Sequence, residues 1–148
     1  MSSVLFVCHA NRFRSPLAMA YWNKLARDAG TASIARSAGV AAVPGLPPLP
    51  LALDLAAAWG VDLSGHRARP VQTSDVWQAD WVVVMNQSQR DVLGVYYPWA
   101  RGKMWLLTQA AGEAPEDIPD ISGDPREDRR LAETIRMLVE KVWHRWGR

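Results

Sequence analysis

Cys8, Arg14 and Ser15 are the residues whose types and spacing point to chemistry. Cys8 is the chain's one cysteine, and it follows the apolar run Val4-Leu-Phe-Val7, which suits a strand buried on both faces of a parallel sheet. Ser15 reads as a helix N-cap and Pro16 as the first helical residue, where a missing N–H costs nothing. The loop between them, His9, Ala10, Asn11, Arg12, Phe13, Arg14 and Ser15, then aims backbone N–H groups and a helix dipole into one hollow. Such a hollow wants an anion. Its amides and Arg14 favour the thiolate of Cys8, which makes the sulfur a nucleophile. The planar fork of Arg14 can hold two oxygens of a tetrahedral oxyanion while the sulfur attacks its centre. The Ser15 hydroxyl is close enough in sequence to stabilise the sulfur when it leaves. These are the parts of a phosphocysteine intermediate. A lone cysteine is otherwise most often a buried structural thiol, but an Arg-Ser or Arg-Thr pair follows a random cysteine at this offset only roughly once in a hundred cases or fewer.

The elements that must position this loop alternate between strand and helix. Ala18, Tyr21, Trp22, Leu25 and Ala29 share a helical face that Gly30 closes. A second strand follows over 33–38. The proline-rich stretch 44–50 can form neither helix nor central strand and is read as a stiff connector. Leu51, Leu55, Ala58 and Trp59 predict a helix ended by Gly60, and 73–79 a short one. Residues 81–85 give the strongest strand, 86–94 a surface helix and 103–107 a fourth strand. After an acidic loop over 108–124, a closing helix from about Arg126 carries the stripe Leu131, Ile135, Leu138, Val139, Val142 and Trp146. This order predicts an α/β fold: a doubly wound, four-stranded parallel sheet flanked by helices, with the phosphate loop after strand one.

With 148 residues, the chain is expected to be a single domain spanning 1–148. A formal charge of +2, with both signs mixed along the chain, argues against nucleic acid as a partner. One cysteine excludes a disulfide framework, and His9, His66 and His144 lack ligand spacing, so no metal is expected. No signal peptide and no apolar run near about 18 residues is visible, which points to the cytoplasm and away from membrane insertion.

The segment Val7-Cys-His-Ala-Asn-Arg-Phe-Arg-Ser-Pro16 resembles the phosphate loop of the low-molecular-weight protein-tyrosine phosphatases, usually Val-Cys-x-Gly-Asn-x-Cys-Arg-Ser-Pro. Ala10 stands where the family has glycine and would strain the loop only if its φ were positive. Phe13 replaces a second cysteine that in many members guards the nucleophile as a disulfide, so this chain should lack that guard. The resemblance implies that Ser37, in Ser37-Ala-Gly39, supports the loop together with Asn11 and Ser15. It also implies that His66, in His66-Arg-Ala-Arg69, is structural and bonds toward Asn11 and Ser37. The proline-rich stretch becomes, by resemblance, a loop bordering the site.

A cysteine phosphatase needs a carboxylic acid on a second loop to protonate the leaving oxygen and later to activate water. The acidic loop offers Glu113, Glu116, Asp117, Asp120 and Asp124. The family places the acid in an Asp-Pro pair, often after Ile-Pro or Ile-Ser. Ile118-Pro-Asp120 matches what precedes it, whereas Asp124-Pro125 supplies the dipeptide; Asp120 is preferred, with Asp124 read as a loop or N-cap residue. Cys8, Arg14 and Asp120 are thus the expected catalytic set. A tyrosine pair that often follows the family's acid is replaced by Ile121 and Ser122.

The resemblance implies hydrolysis of phosphotyrosine in proteins without any cofactor. It also implies, as a partner, a bacterial tyrosine kinase of exopolysaccharide export. Three other readings stay open. Arginine phosphatases are relatives marked by threonine where Arg12 stands, and an arsenate reductase would need an external thiol. A phosphate-binding module without turnover is the reading from another class.

Overall fold

The computed structural model describes residues 2–147. Four strands, β1 (Ser3–Cys8), β2 (Ile34–Gly39), β3 (Trp81–Val84) and β4 (Met104–Leu106), form one parallel sheet in the order β2-β1-β3-β4. Parallel neighbours need crossovers, which α1 (Arg14–Asp28), α2 (Pro50–Ala58), α3 (Thr73–Gln78) and α4 (Gln87–Tyr96) supply, while α5 (Leu107–Ala110) and α6 (Pro125–Trp146) follow the last strand. A 3-10 turn, Pro98–Lys103, leads into β4. The doubly wound α/β sheet predicted from the alternation of elements is therefore the fold of the chain.

Leu5, Phe6 and Val7 of β1 and Val82, Val83 and Val84 of β3 are all buried, because the central strands are covered on both faces. On one face Phe6, Trp22, Ile135, Val139 and Trp143 pack together, with Trp22 edge-on to both Phe6 and Trp143. On the other, Leu5, Val7, Val76, Val82, Val84 and Leu93 form a second cluster. Burying a side chain of this kind stabilises the fold by about 1.5–3 kcal/mol, and these two clusters clamp the end of β1 from both sides.

The chain turns in opposite directions on leaving β1 for β2 and on returning to β3, which opens a crevice at the carboxyl ends of β1 and β3. Cys8 ends β1 at this crevice.

Several boundaries differ from expectation. Helix α1 begins at Arg14, so its N-cap is Phe13 and Ser15 lies inside the first turn. Phe13 offers no side-chain cap, which leaves the first amides of α1 without an intramolecular partner from a cap residue. The stretch read as loop from 108 begins with the four-residue helix α5, too short to show a period. The fourth strand shortens to Met104–Leu106, and β3 ends at Val84.

Candidate active site

Cys8 is almost fully buried, and its sulfur lies 2.9 Å from Ser15 Oγ. The Asn11 amide donates to the same sulfur at 3.3 Å. The Ser15 hydroxyl and the Asn11 amide thus both stand against the sulfur that the loop encloses. The loop bends there because Asn11 adopts φ 59°, the left-handed region that asparagine tolerates better than most residues. Asn11 is the one non-glycine residue with positive φ among those described, so Ala10 carries no such strain.

Asn11 then holds the loop from behind. Its Nδ2 donates to Ser15 Oγ at 2.8 Å and to Ser37 Oγ at 3.0 Å, and its Oδ1 accepts from the Arg69 amide at 3.1 Å. Its carbonyl oxygen lies 2.9 Å from His66 Nε2, which therefore donates. The expected bond from His66 to Ser37 is absent: Ser37 is taken by the Asn11 amide, and His66 reaches the backbone carbonyl of Asn11 instead. Gly39 leaves room for all this, since a Cβ there would lie 2.5 Å from the His9 carbonyl oxygen. Val40 and Ala41 also donate backbone bonds to the Cys8 and His9 carbonyls, at 3.0 and 2.9 Å.

Burial pushes the His66 imidazole below its ordinary range; the Asn11 carbonyl opposes this, and the charges of Arg69 and Arg67 add to it. A folded-state value below the unfolded one means that the unfolded chain binds more protons as the pH falls through about 6.5. The His66 contribution to stability is then complete above that pH and is lost below it. Denaturant unfolding between pH 5 and 8 should show this acid loss in the parent protein. His66→Gln, which keeps an N–H for the Asn11 carbonyl, should flatten it; an unchanged slope would contradict the assignment.

Arg14 is nearly fully buried and serves two carbonyl or carboxylate groups from the acidic loop. Its Nη1 donates to the Ile118 carbonyl at 2.9 Å, and its Nε lies 3.6 Å from Asp120 Oδ1. The Asp120 side chain is 63% exposed, so it can swing without losing packing. Asp124 instead caps α6, accepting from the Arg126 amide at 3.0 Å. The two candidate acids therefore occupy different places, and only Asp120 approaches Arg14.

The other loop residues divide by environment. His9 and Ala10 are exposed at the rim. Phe13 turns into an apolar cluster with Leu17, Ala52 and Leu63, so the position that holds a thiol in many relatives is here a packing site between α1 and α2. Arg12 ties the proline-rich stretch to the loop: its Nε donates to the Pro47 carbonyl at 2.8 Å, and its own carbonyl accepts from Leu49 at 3.0 Å. Ile121 packs against the same cluster as Phe13.

Two supports escaped the sequence reading. Arg69 and Asp75 form a bidentate pair at 2.8 Å on both arms, which fixes the backbone amide that Arg69 offers to Asn11. The Ile118 carbonyl holds Arg14 across the chain. Neither support has a local signal, because the Arg69 amide reaches Asn11 across 58 residues and the Ile118 carbonyl reaches Arg14 across 104. Among the described residues no group of three or more His, Cys, Asp or Glu could hold a metal ion.

The sequence pattern described as low molecular weight phosphotyrosine protein phosphatase matches residues 3–146. The chain belongs to this family. A probable low molecular weight protein-tyrosine-phosphatase, EpsP, of Ralstonia solanacearum is 35% identical over 146 residues, covering 99% of this chain and 94% of that one. A protein-arginine-phosphatase of Bacillus subtilis is 28% identical over 144 residues, covering 94% of this chain and 95% of that one. The solved low molecular weight protein tyrosine phosphatase of T. tengcongensis superposes with a TM-score of 0.92 at 31% identity, covering 98% of this chain and 99% of the other. The chain is accordingly a cysteine-dependent hydrolase of the protein-tyrosine phosphatase class. No helix of the described residues in this low-molecular-weight phosphatase is long and apolar enough to cross a membrane.

Proposed function

We propose that the chain, as a single phosphatase domain, hydrolyses phosphotyrosine in proteins by way of a phosphocysteine. The observation that carries this reading is the Cys8 sulfur, held by Ser15 Oγ and the Asn11 amide, in a loop whose Arg14 also approaches Asp120.

In the first step the Cys8 thiolate attacks phosphorus, the bond from phosphorus to the tyrosyl oxygen breaks, and Asp120 gives its proton to that oxygen. Arg14 and the amides of residues 9–15 hold the equatorial oxygens, where charge is carried through the transition state. In the second step the Asp120 carboxylate takes a proton from water, the water oxygen attacks phosphorus, and the sulfur leaves as thiolate. Ser15 and the Asn11 amide stabilise that leaving sulfur. Free phosphate departs, and Asp120 ends the cycle protonated as it began. Every step uses residues of the chain and one water, and needs no cofactor.

A second reading, dephosphorylation of phosphoarginine, is favoured by likeness to the arginine phosphatases. Against it stands Arg12, which puts a guanidinium at the rim, where a guanidinium-bearing substrate would meet like charge. Peptides carrying phosphotyrosine, phosphoserine and phosphoarginine, compared with arsenate under one set of conditions, test the assignment. The phosphotyrosine peptide should give the highest kcat/KM, and a higher value for phosphoarginine would overturn it. The proposed setting is the cytoplasm. The proposed source of substrate, a tyrosine kinase of exopolysaccharide export, rests on family likeness.

A further inference from the structure

Asp120 lies in the middle of a loop that is tied down on both sides. Upstream, the Ile118 amide donates to the Met85 carbonyl at 2.7 Å, just beyond β3, and the Ile118 carbonyl accepts from Arg14. Downstream, Ile121 packs against the Phe13 cluster, and the turn that follows it is held by one carboxylate. Asp128, one turn into α6, accepts from the Ser122 amide at 2.8 Å and the Ser122 hydroxyl at 3.3 Å through Oδ1, and from the Gly123 amide at 3.1 Å through Oδ2.

Asp128 is only 5% exposed, and burying a carboxylate so deeply is unfavourable unless its oxygens are paired. Here three donors and the positive end of α6 meet that need. Capping of α6 does not, because Asp124 already accepts from the Arg126 amide. What Asp128 fixes is therefore the turn itself, at which Gly123 adopts φ 92°. That turn begins two residues after Asp120, whose exposed carboxylate accepts from the Ile121 amide at 2.8 Å and faces Arg14 Nε at 3.6 Å, so its aim follows the backbone of the loop.

We infer that Asp128 is a positioning residue for the reaction: it locks residues 122–123 so that Asp120 stays on the Arg14 side of the phosphate loop. Asp128 transfers no proton and touches no substrate. The inference rests on the reading of Asp120 as the general acid. Without the downstream tie, the loop pivots about Ile118 and the acid spends less time in line with the leaving oxygen, for which a misplacement near 1 Å costs roughly 10²-fold.

The test is first-turnover release of alcohol from phenyl phosphate, a poor leaving group, and dinitrophenyl phosphate, a good one. It is run with the parent, Asp120→Asn, Asp128→Asn and the double variant. Asp128→Asn should slow phenol release about 10-fold or more while leaving dinitrophenol release within about two-fold. In the Asp120→Asn background it should add less than about two-fold, since the acid it positions is gone. Equal slowing of both substrates, or a full additional loss in the double variant, would overturn the inference and leave Asp120 in its role. Asp120→Asn without any preference for the good leaving group would remove the acid assignment and the inference together. Asp128→Ser, which removes the carboxylate from the Ser122 and Gly123 amides without placing an amide N–H against Gly123, should give the same leaving-group pattern, and parent-like release of phenol by this variant would overturn the inference. Thermal melting checks that each variant is folded at the assay temperature.

Discussion

Cys8→Ser should lose turnover of aryl phosphates by about 10⁴-fold or more, while still binding inorganic phosphate at a concentration close to that needed by the parent. The serine hydroxyl stays protonated at neutral pH and cannot form the phosphoryl bond at a useful rate. Binding, by contrast, depends on the amides of residues 9–15 and on Arg14, none of which the change touches. Loop shape should also persist, because Asn11 is held by Ser15, Ser37, Arg69 and His66 independently of the sulfur. Isothermal titration with phosphate and steady-state kinetics on a generic aryl phosphate read the two effects separately. Retained turnover would rule out covalent catalysis. In the parent, phosphate binding with no turnover anywhere from pH 5 to 7 would instead indicate a binding module.

Asp120→Asn should reduce first-turnover alcohol release by about 10² to 10⁴-fold for phenyl phosphate and far less for dinitrophenyl phosphate. A phenoxide leaves poorly without a proton, whereas a dinitrophenoxide scarcely needs one. Asparagine preserves the size of the side chain and the loop around it, so the loss isolates proton transfer. Asp124→Asn provides the contrast. Asp124 accepts from the Arg126 amide at the start of α6, and the amide oxygen of asparagine can do the same, so this variant should show no dependence on leaving group. The reverse pattern would reassign the acid to Asp124.

The phosphate loop was legible in the sequence because everything that defines it is local. Cys8, Arg14 and Ser15 are separated by a few residues, and the apolar run before them admits little but a buried strand. The order of strands and helices was legible for a similar reason: Trp81–Val84 is an aromatic and β-branched run of strand length, and the stripe on α6 repeats at helical spacing. The start of α1 lies two residues before the one that Ser15 and Pro16 suggest. Ser15 has the chemistry of a cap, but its hydroxyl is drawn to Cys8 and Asn11, and Phe13 takes the cap position because its ring has a pocket between α1 and α2. The support that Arg69 and Ile118 give was hidden in another way. Both act through backbone groups, an amide and a carbonyl, which every residue has and which therefore leave no mark in side-chain identity. The downstream anchor at Asp128 was hidden because an acidic residue in the first turns of a helix is ordinary on dipole grounds alone.

The most direct measurement of the central claim is to quench Asp120→Asn with acid during turnover of dinitrophenyl phosphate and map phosphoryl groups on the digested protein. Formation of the intermediate needs no acid with this leaving group, whereas its hydrolysis loses the base, so the phosphoryl should accumulate on the peptide containing Cys8. Turnover that proceeds with no phosphoryl on that peptide, or with the label on any other residue, would contradict the account.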